Sequence, residues 1–375
     1  MNRSVISFSL QANYMFSPLF SSPNRYFFDR VQVSNSFSSF LLTISVSRII
    51  MKNSQLNHFL DRVIVISSYE NQVFNTLVHV KDPIRADFLK CSFTNVRSIV
   101  QGGAVFLNNA AISSTFISCL FDDCTSTSTA VNSGGILIYN SLDSAIISCI
   151  FRNCSSPPTP SIQIATHYTS FKCLDMNFSV EVFPGNNHVK PSYATLIGGH
   201  ERIVYTNNNI SHGVASSYPA GLVISRGILT SLKCNQISFC KGNGFLDFYF
   251  QNTGGSMSSF NFINNTITGN YWIRNPLSSP FYFSFFLFIH NTDSIFTSTP
   301  AANPYGFYLS YCYFTNKLSD LTLTKVSHVS CVFDYSSHSP LSVFNEHCSQ
   351  FIPKTHVSKF SFALRGHMII LCLSF

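Results

Sequence analysis

Cysteine is the residue type with the widest possible chemistry in this sequence. Twelve cysteines occur among 375 residues, and two pairs have the spacing Cys-x4-Cys, Cys119/Cys124 and Cys149/Cys154. Structural zinc sites use short cysteine spacings, but normally of two to four residues and with a second pair nearby. The same pairs suit disulfides, or buried free thiols that pack as small apolar groups. The buried thiol ladder is the favoured interpretation, and no metal ligand is assigned.

Carboxylates would be needed if the chain hydrolysed a polysaccharide, because that reaction uses two or three of them on one face. The sequence has only 16 Asp and Glu residues. Asp122 and Asp123 are adjacent, so on a strand they point to opposite faces. Asn291-Thr292-Asp293 and Ser211-His212-Gly213 resemble parts of a polygalacturonase pattern, but in reverse order and without its paired acids. We therefore assign no catalytic residue.

Cofactor chemistry finds no support in the sequence. The twelve histidines are dispersed, and His200-Glu201 lacks the second histidine of a zinc-hydrolase helix. The glycine pairs Gly198-Gly199 and Gly254-Gly255 lack the Lys-Ser/Thr that a phosphate-binding loop needs. We assign no cofactor-binding residue and no cofactor.

The composition indicates β structure with a large core. Hydrophobic residues make up 45% of the chain and charged residues only 10%, which excludes charge-driven disorder and disfavours helical bundles. The 38 phenylalanines and the many Ser, Thr and Asn residues suit strands. The net charge of +7 comes from basic residues scattered singly along the chain, so no nucleic-acid partner is expected.

The sequence signals for membrane-spanning and targeting segments are weak. The apolar runs Phe40–Met51, Pro280–Ile289 and His367–Phe375 are shorter than the roughly 20 residues of a spanning helix. We expect no membrane span, and we interpret the apolar C-terminal run as a last strand or tail. Met1–Leu10 lacks the apolar core of a secretory signal peptide.

An internal repeat organises the chain. Four segments share the pattern aliphatic-x-Cys-x-Phe, with weaker copies at 258–262 and 310–314; they are Leu89–Phe93, Ile117–Phe121, Ile147–Phe151 and Val329–Phe333. Alternation with period two predicts strands. Asn or Asp follows two residues after Phe, at Asn95, Asp123, Asn153, Asn264 and Asn316, where left-handed turn geometry is expected.

A second element follows the first, with 11 residues from Cys91 to Gly102 and 15 from Cys119 to Gly134. Gly102–Asn108 and Gly134–Asn140 both lead from a glycine pair into a strand, and Ala220–Ile224 and Pro304–Leu309 are later variants. One such unit cannot bury its inward side chains or pair its own backbone edges. Stacked units do both, and the predicted interior is a set of Cys, Phe and aliphatic ladders.

These motifs resemble those of known β-helix surface proteins. Gly102–Val105 and Phe262–Asn265 are similar to the paired repeats of chlamydial polymorphic outer-membrane proteins, and the Cys-x-Phe-x-Asn layout is similar to β-helix surface families of parasitic protists. The resemblance covers about 85–155 well and 220–345 poorly. It implies the pectin-lyase-like superfold and a surface or adhesive role, although the superfold hosts many activities.

The sequence therefore predicts an all-β, right-handed parallel β-helix of about nine coils. We expect an N-terminal cap or irregular region over 1–80, the array over 81–345 and a tail or last coil over 346–375. The predicted function is a non-enzymatic, adhesin-like extracellular or cell-surface protein whose partners are glycans or host-surface proteins. The alternative is a polysaccharide lyase or glycoside hydrolase, which would show converging charged side chains near Asp122, Asp247 or Asp293.

Overall fold

The fold is described by a computed structural model over much of the chain. The described residues are 9–15, 25–43, 48–67, 84–100, 102–108, 112–127, 134–154, 162–174, 177–179, 195–198, 202–206, 208–214, 219–225, 229–249, 255–268, 273–274, 280–292, 294–297, 306–323 and 326–334. Within them the chain is a parallel β-solenoid, because strands return to the same three positions and stack on the strands before them. We name the three stacks ladders A, B and C.

Every ladder is parallel. Ladder A contains β2 (Arg25–Asp29), β5 (Arg48–Lys52), β8 (Ile84–Leu89), β11 (Ile112–Ile117), the second halves of β13 (Ile136–Ile147) and β15 (Ile162–Leu174), β18 (Arg202–Thr206), the first halves of β21 (Leu229–Ser238), β24 (Gly255–Ile263) and β27 (Phe281–Ile289), β29 (Phe307–Ser310) and β32 (Val326–Val329).

Ladders B and C continue each turn of the chain. Ladder B contains β1 (Ser9–Met15), β3 (Gln32–Ser36), β6 (Gln55–Phe59), β9 (Ser92–Ser98), β12 (Leu120–Ser126), β14 (Ile150–Arg152), β16 (Asn177–Ser179), β19 (Asn209–Ser211), the second halves of β21, β24 and β27, and β30 (Tyr313–Phe314). Ladder C contains β4 (Leu41–Thr43), β7 (Ile64–Ser67), β10 (Val105–Asn108), the first halves of β13 and β15, β17 (Thr195–Gly198), β20 (Pro219–Ser225), β23 (Gly244–Tyr249), β26 (Ile273–Arg274), β28 (Ser294–Thr297) and β31 (Leu321–Leu323).

Little else is regular among the described residues. Strands β22 (Lys241–Gly242) and β25 (Thr266–Ile267) form a separate pair, and Leu318–Asp320 forms a 3-10 turn. Nothing in the described ranges forms a helix long and apolar enough to cross a bilayer.

The predicted all-β fold of stacked parallel strands is confirmed, whereas the hand of the solenoid and its number of coils stay predictions. Strands within 25–67 join the same three ladders although that segment shows no clean sequence repeat. The boundary between cap and array stays a prediction, and 346–375 lies outside the described residues.

The predicted phenylalanine ladders form the interior. Phe93, Phe121 and Phe151 stack with ring centroids 4.8 and 4.6 Å apart. Near the other end the stack consists of Phe262, Phe288, Phe314 and Phe333, with centroids 5.1, 4.5 and 5.0 Å apart. These separations equal the spacing of neighbouring strands, about 4.8 Å, so each ring covers the ring of the next coil. Aromatic contacts of this kind add about 0.5–1.5 kcal/mol each to the burial of area.

The glycine element predicted at 102–108 leads into ladder C. Val105 pairs with Ile136, so the Gly102 and Gly134 elements lie in the same position on neighbouring coils. A Cβ atom on Gly103 would lie 1.5 Å from the Gly134 carbonyl oxygen, which only glycine avoids. The variant proposed at 304–309 is wrong, because Phe307–Ser310 belongs to ladder A.

In most of the described coils, two corners place a residue in the left-handed region, which costs a non-glycine residue about 1–2 kcal/mol. One corner joins ladders A and B, and the other leaves ladder B. Every non-glycine residue with positive φ in the described ranges lies at one of these corners. The predicted turn residues Asn95, Asp123, Asn153 and Asn264 are among them, with φ of 50–52°, whereas Asn316 is not.

The residue after a left-handed corner is buried at nearly every described corner, and at several coils a side chain from the next coil accepts a hydrogen bond from its N–H group. Ser54 Oγ accepts from Val31 at 3.2 Å, Cys149 Sγ from Cys119 at 3.3 Å, and Asn265 Oδ1 from Cys240 at 2.9 Å. We call this arrangement the corner ladder. Because Ser, Cys and Asn occupy equivalent positions, the cysteines of the repeat are hydrogen-bonding groups as well as apolar packing.

The corner ladder gives a prediction at Asn265, which is 1% exposed. Its amide accepts from the Cys240 N–H group and donates to the Ile237 carbonyl at 2.8 Å. Asn265→Ala leaves both buried groups without that partner, so we expect the free energy of unfolding to fall by about 3 kcal/mol. Urea denaturation measures the change, with Thr266→Ala as an exposed neighbouring control that we expect to cost under about 0.5 kcal/mol. Equal losses in the two variants would contradict the corner ladder.

Candidate ligand-binding surface

The cysteines of the repeat face the interior. Cys91, Cys119 and Cys149 occupy the A–B corner on successive coils, and Cys124 and Cys154 occupy the following corner; all five are buried free thiols. The two members of each Cys-x4-Cys pair therefore lie at different corners, separated by a strand of ladder B. Among the residues that the structure describes, no group of three or more His, Cys, Asp and Glu is placed to hold a metal. Cys234 is disulfide-bonded and stands at a left-handed corner outside these stacks.

The carboxylates weighed for catalysis do not converge in the described part of the chain. Asp122 forms a two-pronged ion pair with Arg152 of the next coil, with Nε to Oδ1 at 2.8 Å. Asp123 pairs with Arg97 of the preceding coil at 3.1 Å. The backbone of Asp247 belongs to ladder C, whereas Asp122 belongs to ladder B, and Asp293 lies outside the described residues. Asp122 and Asp123 therefore link neighbouring coils.

The polygalacturonase-like segments are structural where the structure describes them. Asn291 is buried in the corner ladder and donates to the Phe262 carbonyl at 2.8 Å, and Thr292 Oγ1 accepts from the Ile267 N–H group. His212 occupies a left-handed corner, where its ring stacks on Phe239 with centroids 5.4 Å apart. Neither segment presents these groups as a catalytic site.

An exposed aromatic surface lies outside ladder A near its C-terminal end. Tyr282 and Tyr308 are 51% and 44% exposed, point outward on paired strands and stack with ring centroids 5.0 Å apart. At the adjoining corner, Phe285 stacks on Tyr311, which is 52% exposed, at 5.3 Å. We call these four residues the tyrosine face. Each tyrosine combines an apolar ring with a hydroxyl group, the combination that is enriched at binding interfaces.

Hydroxyl groups surround the tyrosine face. Ser284 and Ser310 are paired beside the two tyrosines, and Ser256 and Ser327 precede and follow them on the neighbouring strands. The four strands β24, β27, β29 and β32 contain no Asp, Glu, Lys or Arg residue. This surface is therefore aromatic, hydroxyl-rich and uncharged, which suits the adhesin hypothesis better than the enzyme alternative.

A groove of about 430 Å³ lies at the corner after ladder B near the N-terminal end. Its lining includes the corner residues Asn35, His58 and Asn95, together with Phe37, Leu60 and Arg97. The volume falls within the range of small-ligand sites. It offers amide, imidazole and apolar groups to a ligand, but its arginine is paired with Asp123.

The tyrosine face could not be predicted from the sequence, because the residues of each stacked pair lie 26 positions apart and no local motif marks them. A signal exists in the segments Phe281–Ser284 and Phe307–Ser310, which read Phe-Tyr-Phe-Ser and Phe-Tyr-Leu-Ser. Aligning the chain by coil rather than by cysteine brings the two tyrosines together.

One cysteine is poised to react. Cys331 is half-buried, and its hydrogen bond with the Cys312 thiol lowers the pKa of Cys331 to about 7, whereas burial raises the pKa of Cys240 to about 12. We expect iodoacetamide to label Cys331 of the native protein at a rate that rises as pH increases through about 7, since the thiolate is the nucleophile. Peptide mapping by mass spectrometry measures the rate, and Cys312→Ala moves its midpoint to higher pH. Labelling of Cys331 no faster than that of Cys240 at pH 7 would contradict this assignment.

The chain was compared with protein-family models, curated proteins and solved structures. No family model, curated protein or solved structure matches the chain.

Proposed function

We propose that this protein is a non-enzymatic interaction protein, extracellular or displayed at a cell surface, that binds a glycan or protein ligand on the outer face of its solenoid. The observation that carries the proposal is the tyrosine face, with its stacked Tyr282/Tyr308 pair and its surrounding serines. Rigid aromatic side chains with hydroxyl groups supply contact area at a low cost in conformational entropy.

The repeating geometry supports a ligand that itself repeats. Tyr282 and Tyr308, and Ser284 and Ser310, recur at the strand spacing of about 4.8 Å along the solenoid. An extended ligand lying along this direction meets the same chemical groups on successive coils, so several modest contacts add up. The resemblance of the Cys-x-Phe-x-Asn and Gly-Gly motifs to polymorphic outer-membrane proteins and protist β-helix surface proteins supports the same role.

The proposal is tested by screening the full chain on arrays of glycans and host-surface proteins, with a reducing-sugar release assay in parallel. We expect binding without turnover. The double variant Tyr282→Ala/Tyr308→Ala is expected to weaken that binding about tenfold or more, because each aromatic contact contributes roughly 1 kcal/mol. Ile99→Ala removes a 77% exposed apolar side chain elsewhere and serves as the control.

Three results would overturn the proposal. Sugar release from any polysaccharide would favour the lyase or hydrolase alternative. Unchanged binding by the tyrosine variant, with its circular dichroism spectrum intact, would exclude the tyrosine face as the binding site. Absence of any ligand on the arrays would remove the interaction role.

A further inference from the structure

Three exposed arginines stand in a straight row on the outer face of ladder A near its N-terminal end. Arg25 pairs with Arg48 on the neighbouring strand, and Arg48 pairs with Arg85 on the next. All three are exposed, and we call them the arginine row. Neighbouring strands lie about 4.8 Å apart, so the row spans roughly 10 Å.

Two members of the row, Arg48 and Arg85, have no evident structural role within the described residues. Like charges directly opposite each other on paired strands destabilise a sheet. Arg48 and Arg85 form no hydrogen bond or ion pair within the part of the chain that the structure describes. By contrast, Arg97 and Arg152 on ladder B are each paired with an aspartate of a neighbouring coil. The fold thus neutralises Arg97 and Arg152 on ladder B, whereas Arg48 and Arg85 on ladder A face solvent.

The surroundings of the row are basic. Strands β2, β5 and β8 with their following corners also carry exposed or half-exposed Arg30, Lys52 and Lys90. The same strands and corners carry two carboxylates, Asp29 and Asp87, so the described residues 25–30, 48–53 and 84–90 have an excess of four positive charges. The +7 charge of the whole chain is mild for its length, so the concentration is a property of this face.

Three regularly spaced guanidinium groups are suited to a ligand that is a linear polyanion. A guanidinium group binds sulfate or carboxylate through two parallel hydrogen bonds, and three at a regular spacing match successive anionic groups on one chain. An anion bridging neighbouring arginines also relieves their mutual repulsion.

The neighbouring groups favour a polyhydroxyl ligand over a nucleic acid. Asp87 points outward on the same strand as Arg85, about 6–7 Å along it. Ser113 continues the row on the next coil, where it pairs with Arg85. A carboxylate and a hydroxyl can accept hydrogen bonds from sugar hydroxyl groups, whereas a phosphodiester backbone offers the carboxylate only repulsion.

We propose that the arginine row of Arg25, Arg48 and Arg85 is a binding site for an acidic polysaccharide, one whose sugars carry sulfate or carboxylate groups. This inference rests on the proposed interaction role and names a ligand class and a second surface for it. The ligand lies along the solenoid axis, with its anionic groups on the arginines and its hydroxyl groups beside Asp87 and Ser113.

Isothermal titration of the full chain tests the site. The probes are heparin for sulfate, polygalacturonate for carboxylate, dextran as a neutral chain and a short DNA duplex. We expect heparin, polygalacturonate or both to bind, and dextran not to bind at this row. Arg48→Ser/Arg85→Ser is expected to weaken binding about 100-fold, about tenfold for each charge-assisted contact, and to reduce its salt sensitivity.

Serine suits both positions because Ser113 occupies the same place on the next coil. The matched control is Arg97→Ser/Arg152→Ser, which also removes two exposed arginines but from ladder B; we expect it to change affinity less than about threefold. Circular dichroism and thermal melting establish that both variants are folded.

Several outcomes would overturn the inference. These are no binding of either acidic polysaccharide, an equal loss in the control variant, or DNA bound as tightly as the polysaccharides at the same salt concentration. If binding on the arrays depends on Tyr282 and Tyr308 and no ligand binds at the arginine row, this inference is wrong and the proposed function stands. If neither the tyrosine face nor the arginine row binds a ligand, the proposed function is wrong as well.

Discussion

The structure depends on the registration of each coil with the next at the two left-handed corners. A corner residue such as Asn264 bears a conformational cost, and the N–H group that follows it is turned away from water. The cost is offset where a side chain from the next coil reaches that group, as Asn291 does for Asn265 at 2.9 Å. A coil shifted by one residue would lose this hydrogen bond and would misplace the phenylalanine stacks, so the corners fix the register.

Register inside the solenoid determines what is displayed outside it. Once Phe28, Met51 and Phe88 are aligned in the interior, the outward arginines three residues earlier in each strand are aligned as well. The same constraint places Tyr308 on Tyr282. Surfaces composed of rows therefore arise from residues that are 23 to 37 positions apart, and they change independently of the core because alternate residues face opposite sides.

The sequence was sufficient for the scaffold but not for its surfaces. The aliphatic-x-Cys-x-Phe strands, their turn residues and the glycine corners are visible in the sequence because several coils use the same inward groups at the same positions. Two features could not be predicted from the sequence. Ser54 and Asn265 accept corner hydrogen bonds as Cys149 does, which composition cannot reveal. In the coils of residues 25–67, Val31 and Ser54 stand where the later coils have the cysteine. The arginine and tyrosine rows escaped because no local motif marks them, and only the observed register brings their members together.

Registration through the corners is tested most directly by amide hydrogen exchange at the corner residues whose N–H groups point inward. If the corners fix the register, four amides that each donate to a side chain of the next coil exchange as slowly as the amide of Phe121 in a central strand; they are those of Cys119, Asn208, Cys240 and Asn265. Exchange at these four amides as fast as in exposed loops, with Phe121 still protected, would contradict a solenoid registered through its corners.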